Sequence, residues 1–340
     1  MAELLIELYS EEIPSKLQIN ARNQLKSLIE SSFKEKGIKF KNIEIFSTPT
    51  RLTLLANDLS ERVKIASQEI RGPKVGSSDK ILEGFAKAKN LTIKDLFEKN
   101  TDKGKFYFIK TNAKSFLVED LLKDILPESF AAISWKKSMK WSNYDLMWGR
   151  PLRSILAIFN NKKLSFEFDH LGTTDKIVVE QDLIIKSRKI ENFKNYITFL
   201  KDNNILLDHN ERERIIIKRI KLATKSKDYK ENINSDLLEE VVNIVENPNI
   251  LLVNFNKEYL EMPQEIIIST LEKHQRYFPI FDSRGRLTNH FFVVSNKKDE
   301  KKLIKEGNKR VVEARLSDAK FFWDKDRSKN LIKQIANLKA

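Results

Sequence analysis

The 340-residue sequence contains no cysteine, only nine glycines and eight prolines, and four histidines. The missing cysteines exclude disulfide bonds, thiol nucleophiles and cysteine-ligated zinc, and they fit a reducing compartment. No apolar run approaches the roughly 18–20 residues that a helix needs to cross a bilayer. The acidic start MAELLIELYSEEIP lacks the basic and apolar regions of a signal peptide. These absences predict a cytoplasmic protein with no membrane partner.

Recognised catalytic and nucleotide-binding motifs are missing as well. The sequence has no GxxxxGK[ST] loop, no GxGxxG loop, no GxSxG elbow and no HExxH pair. His170, His209, His274 and His290 are far apart, so a metal site would need carboxylate ligands that the sequence does not reveal. A nucleophile and a base from distant positions would leave no such signature.

Charge is the strongest compositional signal. The formal net charge is +14 and the isoelectric point is about 9.5. A basic excess attracts polyanions because binding releases their counterions, which makes nucleic acid the first partner to consider. The sequence is also rich in lysine, isoleucine and asparagine, and an AT-rich coding background would produce the same bias.

Hydrophobic periodicity predicts a multidomain α+β protein, with mixed sheets and helices in the N-terminal half and more helices in the second half. A strand at 3-ELLIELY-9, a helical pattern and two further strand-like runs form its start. We predict an N-terminal α+β region at 1–187, a helix-rich α/β domain at 188–306 and the start of a helical region at 307–340. The helical pattern of 328-SKNLIKQIANLKA-340 continues to its last residue, which we interpret as truncation.

Several local predictions are specific. Glycine, proline and serine predict a loop near 71–80. Apolar spacing predicts helices at 91–99, 116–125 and 209–225. Pro127 is expected to prevent extension of the second helix, because proline removes a backbone N–H and clashes with the preceding turn.

Residues 133–151, which we call the Trp/Lys segment, are predicted to be irregular and contain three of the four tryptophans. Aromatic faces can stack on unpaired bases while cations hold phosphates. The alternative is that the tryptophans anchor an irregular loop to the core. The candidate contacts in and beside this segment are Lys136, Lys137, Lys140, Trp141, Arg150 and Arg153.

The stretch 269-STLEKHQRYFPI-280 is the second candidate, since it places His274, Gln275 and Arg276 side by side. A helix end explains most of it, because cations are favourable in a last helical turn. The third candidate, Lys309 and Arg310, decorates a helical pattern whose alternative reading is an ordinary solvated face.

Several ordered blocks resemble one family. The runs 267-IISTLEKHQRYFPIFDSRGRLTNHFFVVSN-296 and 307-GNKRVVEARLSDAKFFWDKD-326 resemble the β subunit of bacterial heterotetrameric glycyl-tRNA synthetase. The blocks 5-LIELYSEEIPSK-16, 46-FSTPTRLTL-54 and 139-MKWSNYDLMWGRPLRSIL-156 resemble the same family in the same order. Chains of this family are much longer, with a C-terminal half that includes an HD-type and an anticodon-binding domain.

The resemblance implies a role in a complex. The α subunit carries the class II catalytic core and uses ATP and Mg²⁺, while the β subunit supplies tRNA binding in an α2β2 heterotetramer. It follows that this chain binds α and tRNA(Gly), holds no cofactor or metal and contributes no catalytic residue. The three candidate groups then become tRNA or α-subunit contacts.

Two other functions stay open at the level of sequence. One is a stand-alone RNA-binding protein with a steep salt dependence. The other is an editing hydrolase, for which His274 would need a carboxylate such as Glu272 or Asp282. On the family reading, replacing Lys136 and Lys140 with alanine is expected to weaken tRNA binding and flatten its salt dependence.

Overall fold

The structure is a computed structural model, and it describes residues 2–65, 69–88, 92–102, 104–110, 113–181, 183–225, 229–230 and 232–328. Its helices are α1 (Ser15–Glu35), α2 (Asp79–Lys87), α3 (Val118–Ala131), α4 (Phe193–Asp202), α5 (His209–Lys225), α6 (Ser235–Ile244), α7 (Gln264–Ser269) and α8 (Leu303–Arg327). Its first strands are β1 (Ala2–Ser10), β2 (Asn42–Thr48), β3 (Arg51–Leu59), β4 (Arg62–Ile65), β5 (Glu69–Lys74), β6 (Leu96–Thr101), β7 (Gly104–Lys110), β8 (Lys114–Leu117) and β9 (Leu152–Phe159). Its later strands are β10 (Lys162–Lys163), β11 (Glu167–Phe168), β12 (Leu171–Thr174), β13 (Lys176–Gln181), β14 (Ile184–Lys189), β15 (Tyr229–Lys230), β16 (Asn249–Asn254), β17 (Phe278–Asp282) and β18 (Leu287–Ser295). This mixture of helices and several sheets confirms the predicted multidomain α+β class.

The largest sheet is built around β1. The strand order is β11-β12-β9-β1-β3-β2, and β10 pairs with β9. Side chains alternate along a strand, so Leu4 and Ile6 of β1 join the core under α1 and α3. Leu5 joins the opposite core, where Tyr196 and Leu200 of α4 pack. Burial on both faces explains why β1 is an almost continuous apolar run.

The core between β1 and α4 crosses residue 187, the end of the first predicted region. It contains Leu156 and Ile158 of β9 together with Ile190 and Leu207. The segments before and after residue 187 therefore share buried apolar surface, and the division of the chain at that residue stays a prediction.

A second sheet, in the order β15-β17-β18-β16, lies between two helical layers. Phe292 of β18 packs in the core under α5 and α6. Its neighbour Phe291 packs in the core with α7 and α8. A smaller sheet in the order β5-β7-β6 and the two-stranded ribbons β4-β8 and β13-β14 complete the described strands. Within the described ranges no helix is long and apolar enough to span a membrane.

The prediction that Pro127 would prevent helix extension is wrong. Helix α3 runs from Val118 to Ala131 and includes Pro127 in its interior. Leu126 and Phe130 flank the proline and are fully buried in the first core. Packing of these side chains outweighs the lost backbone hydrogen bond, which costs about 3 kcal/mol in an exposed helix.

Two other local predictions need correction. The helix predicted at 91–99 is wrong, because a single 3-10 turn at Ile93–Asp95 is followed directly by strand β6. Thr92 and Asp95 cap that turn reciprocally, and β6 then pairs with β7. The loop predicted near 71–80 is wrong at both ends, because β5 reaches Lys74 and α2 begins at Asp79. The last helix begins at Leu303, four residues before the predicted start.

Helix α5 has the predicted bounds, His209–Lys225. The carboxylate of Asp208 accepts a hydrogen bond from the backbone N–H of Asn210 at 2.9 Å, as a helix-capping side chain does. Ile216 and Ile220 bury one side of the helix in the core that it shares with α6 and the second sheet. The opposite side of α5 faces solvent.

Candidate nucleic-acid and partner interface

The Trp/Lys segment is irregular, as predicted, and its one described bridge joins Met139 to Trp148. Trp148 is only 1% exposed, and its ring centroid lies 4.9 Å from that of Trp135. A Cβ on Gly149 would come within 2.5 Å of the Trp135 ring, so this close packing requires glycine. These two tryptophans anchor the segment to the core, and Trp148 is not available for stacking on a base.

An aromatic group on the same segment does reach the surface. The ring of Tyr144 stacks on His170 with centroids 3.5 Å apart, and Trp141 meets His170 edge-on at 5.8 Å. Tyr144 is 40% exposed, whereas Trp141 packs partly against the first core. The Oδ2 atom of Asp169 lies 2.7 Å from Nδ1 of His170, and this hydrogen bond lowers the pKa of Asp169. The sequence did not associate His170 with the segment because the two are joined only by the fold.

Two of the five cations of this first candidate group are paired with carboxylates. Lys140 lies 2.8 Å from Asp145. Arg153 lies 2.7 Å from Glu180 and 3.5 Å from Glu11. Arg150 is half-buried and its nearest described acceptor is the carbonyl oxygen of Gly149, at 3.5 Å. The exposed cations without a carboxylate partner among the described residues of this segment are Lys136 and Lys137.

The second candidate group lies where the helix after Pro263 ends. Residues Thr270–His274 form a π-helical turn, and Arg276 adopts a left-handed conformation with φ of 62°. Arg276 donates to Glu240 through a 2.7 Å contact and is thereby held against α6. His274 is exposed and Gln275 is half-buried. A helix end therefore explains the shape of this stretch, and His274 is the exposed one of its three candidate side chains.

The carboxylates that an editing hydrolase would need are engaged elsewhere. Glu272 accepts a hydrogen bond from Asn234 at 3.0 Å, and Asp282 forms an ion pair with Arg286 at 2.8 Å. In the described part of the chain neither carboxylate is hydrogen-bonded to His274. The same ranges hold no group of three or more His, Cys, Asp or Glu placed to bind a metal ion.

Helix α8 carries the third candidate pair. Arg310 is exposed and Lys309 is half-buried. The preceding residue, Asn308, accepts a hydrogen bond from the Tyr277 hydroxyl, which connects α8 to the stretch after the π-helical turn. Val312 and Leu316 face the core, so the cationic side of α8 is its outer side.

One cleft of about 760 Å³ brings Lys136 of the first group near Glu272 and Lys273, which directly precede the second group. It lies between α1, α6 and the π-helical turn, and we call it the shared cleft. Its charged lining consists of Lys16, Lys136, Lys273, Asp236, Glu239, Glu240 and Glu272. Four carboxylates face three lysines there, so the cleft has no net attraction for a phosphate backbone. A surface of both signs suits a protein partner with complementary charges.

A buried polar junction joins the first sheet to the second half of the chain. Arg212 of α5 is fully buried, and its guanidinium donates to the carbonyl oxygens of Val242, Leu206, Leu207 and Ser47 at 2.6–3.0 Å. Burial lowers the pKa of Arg212 to about 10. The carbonyl of Ser47 belongs to β2, so one side chain fixes α5 against the N-terminal sheet.

His209 and Arg22 lie beside this junction. Arg22 donates to the side chains of Ser47 and Asn243, the second at 2.7 Å. Burial, together with the charges of Arg22 and Arg212, lowers the pKa of His209 to about 4. Arg22 and Arg212 therefore place two positive charges close to the buried His209 ring at the start of α5.

A buried ion pair lies within the first sheet. Arg51 Nε is 3.1 Å from Glu7 Oε2, and the Tyr196 hydroxyl donates to the same oxygen at 2.6 Å. Burial raises the pKa of Glu7, although the positive charge of Arg51 acts to lower it. Burial and the charge of Glu7 also raise the pKa of Tyr196 well above its ordinary value. The sequence signal for this pair is the charge of Glu7 between apolar residues in the middle of the strand 3-ELLIELY-9.

Comparison with known proteins gives a consistent result along the whole chain. The family model described as glycyl-tRNA synthetase beta subunit matches residues 4–340. Curated relatives named glycine--tRNA ligase beta subunit are 34% identical over 341 residues in Rickettsia canadensis and 35% identical over 343 residues in Rickettsia typhi and Rickettsia bellii. Each alignment covers 100% of this chain and 51–52% of the relative. The chain therefore spans about half the length of the curated relatives it matches.

Proposed function

The chain belongs to the glycyl-tRNA synthetase beta subunit family, and on that basis we propose that it binds tRNA(Gly) and the α subunit so that α can attach glycine to the tRNA. The observation that carries this proposal is the family match over residues 4–340. The net charge of +14 supports it, because tRNA is a polyanion. The proposed complex is an α2β2 heterotetramer in the cytoplasm.

Chemistry in this proposal belongs to the α subunit. ATP and Mg²⁺ are used there, and this chain binds neither. The lack of a phosphate-cradling loop in the sequence supports this division of labour. The residues proposed as tRNA or α-subunit contacts are Lys136, Lys137, Lys140, Trp141, Arg150, Arg153, His274, Gln275, Arg276, Lys309 and Arg310.

Within that set, we assign the residues around the shared cleft to the α subunit. Lys136 lines the cleft, and Arg276 is ion-paired to Glu240 of its lining. Carboxylates on both α6 and the π-helical turn repel phosphates but can meet cations of a protein partner. Glu239 and Glu272 are accordingly proposed as α-subunit contacts as well.

The proposal is tested by measuring glycylation of tRNA(Gly) by purified α subunit, alone, with this 340-residue chain and with a full-length β chain. Size-exclusion chromatography of the same mixtures reports assembly. We expect the chain to co-elute with α and to raise glycylation above that of α alone. Failure to co-elute with α and to bind tRNA(Gly), while full-length β does both, would contradict the proposal for these residues.

A matched pair of variants tests the cleft. Glu239→Lys combined with Glu272→Lys is expected to weaken co-elution with α, because the cleft lining changes sign. Glu30→Lys combined with Glu35→Lys on α1 adds the same charge away from the cleft and should leave co-elution unchanged. Equal loss in both pairs would contradict the assignment of the cleft to α.

A further inference from the structure

One face of α5 is a continuous line of cations. Arg214, Lys218, Lys221 and Lys225 are all exposed and recur at intervals of four, three and four residues. With 3.6 residues per turn, this spacing places them on one side of the helix over about 16 Å. We call these four residues the basic stripe.

The groove around the basic stripe contains no carboxylate among its described lining residues. Ile217 and Leu222 complete a groove of about 350 Å³ with the four cations. Leu222 is 59% exposed, so the groove also offers an apolar surface beside the charges. In the described residues the one ion pair of the stripe is Arg214 with Asp208, at a loose 3.8 Å. Lys218 and Lys221 have no acidic partner there.

The neighbouring surface does not neutralise the basic stripe. Leu222 also lines an adjoining cleft of about 580 Å³ that includes Arg219, Lys298 and Asp299. Asp299 is the carboxylate of that described lining, and it accepts backbone hydrogen bonds from Ile304 and Lys305 at 3.0 and 2.8 Å. Its charge is therefore balanced by the backbone N–H groups and the positive dipole end at the N-terminus of α8.

The helix that carries the basic stripe is held rigidly. Ile216 and Ile220 on its other side are buried against α6 and the second sheet, and Arg212 is fixed by four carbonyl oxygens. A rigid row of cations loses little conformational freedom when it meets a fixed ligand. Lysines on a mobile loop would lose more.

We infer that the basic stripe of α5 binds the phosphate backbone of RNA, and, resting on the function proposed above, that this RNA is tRNA(Gly). Protein contacts to helical RNA are made mainly with phosphates and 2′-hydroxyls and depend little on sequence. Four cations on one helix side, with no carboxylate between them, match a polyanion better than the mixed charges of the shared cleft. The stripe is separate from every residue that the sequence motifs single out.

The test measures binding of labelled tRNA(Gly) to the full 340-residue chain across a series of salt concentrations. Lys218→Glu combined with Lys221→Glu is compared with Lys194→Glu combined with Lys201→Glu on α4, which are exposed helical lysines and give the same change in net charge. The stripe variant is expected to bind about tenfold or more weakly near 0.1 M salt, with a slope of log K against log salt smaller by about two. The α4 variant should retain nearly the wild-type slope.

Circular dichroism checks that each variant is folded. As a further control, Lys218→Arg combined with Lys221→Arg keeps both charges and should keep tRNA binding. Equal losses in the α4 and stripe variants would overturn the inference, because net charge alone would explain binding. Unchanged tRNA binding in the stripe variant would also overturn it. If that variant instead loses co-elution with the α subunit, the stripe is a protein contact.

An unrelated RNA duplex of tRNA length separates this inference from the proposed function. The proposed function is contradicted if the wild-type chain binds the duplex as tightly as tRNA(Gly) and does not raise glycylation by the α subunit. The stripe is then still judged by the same variant pair on the duplex. Wild-type chain that binds neither RNA contradicts both.

Discussion

The Trp/Lys segment and helix α5 both concentrate basic side chains, but they hold those charges in different ways. Lys140 in the segment and Arg153 beside it are paired with carboxylates at 2.7–2.8 Å. On α5, Lys218 and Lys221 project from a fixed helix without an acidic partner among the described residues. Exposed ion pairs add little to stability, yet they cancel the charge that a polyanion would meet. The number of basic residues in a segment is therefore a poor guide to where a phosphate backbone binds.

We expect the largest loss of stability from removing Arg212, because this side chain attaches α5 to the N-terminal sheet. Arg212→Leu removes a buried guanidinium and leaves four carbonyl oxygens without their donor, so we expect a loss of about 3–5 kcal/mol in the free energy of unfolding. Urea denaturation measures it. Arg214→Leu, two residues along the same helix, is the control, because an exposed substitution changes stability by about 0.5 kcal/mol or less. Similar losses in both variants would contradict the distinction between the two sides of α5.

The contrast between Arg212 and Arg214 also defines what could be predicted from the sequence. The bounds of α5 follow from the spacing of Ile216 and Ile220, because helix periodicity is local. Which arginine is buried depends on the carbonyl of Ser47, 165 residues away. Strand β1 and the irregular Trp/Lys segment were predicted for the same local reasons.

Long-range packing accounts for the predictions that were wrong. Pro127 is accommodated in α3 because Leu126 and Phe130 are buried, and β6 is a strand because β7 pairs with it. The partners that neutralise Lys140 and Arg153 and the cleft that joins Lys136 to Lys273 also arise from folding. Composition predicts a polyanion partner, but only the fold distinguishes paired cations from free ones.

The second prediction tests the anchoring of the Trp/Lys segment. Gly149→Ala places a Cβ within 2.5 Å of the Trp135 ring, so the ring must move off Trp148, and we expect a loss of about 1–3 kcal/mol in the free energy of unfolding. Gly172→Ala is the control, because a Cβ there meets nothing within 4 Å. Tryptophan fluorescence should change in the first variant alone. Unaltered stability and fluorescence would show that the segment is not anchored through these rings.

The third prediction concerns pH and the first residue of α5. The pKa of His209 is lowered from 6.5 to about 4 by burial and by Arg22 and Arg212. As pH falls below 6.5, the unfolded chain takes up a proton that the folded chain refuses until about pH 4, so stability falls across that window.

We expect this loss to be about 2 kcal/mol, less than the full linkage value because solvent screens a partly exposed ring. Urea denaturation of the wild type and His209→Gln at pH 7 and pH 4.5 isolates it, since other groups titrate in both proteins. The difference in stability between the two pH values should be smaller in the variant. An equal difference in both proteins would mean that folding does not lower the pKa of His209.

The last prediction compares how much the lysines of the two basic regions contribute to the salt dependence of tRNA binding. Lys136→Ala combined with Lys140→Ala removes one free cation and one that Asp145 already neutralises. Lys218→Ala combined with Lys221→Ala removes two free cations from one helix face. Each phosphate contact contributes about one unit to the slope of log K against log salt. Lys136 lines the shared cleft, which we assign to the α subunit, so we expect the slope for tRNA(Gly) to fall by less than about one in the first variant. In the second variant it should fall by about two. Asp145→Asn, which frees Lys140, should increase the slope of the otherwise wild-type chain.

A larger fall of the slope in the first variant than in the second would place the phosphate contacts on the Trp/Lys segment. The ion pair between Lys140 and Asp145 would then have to open when tRNA binds.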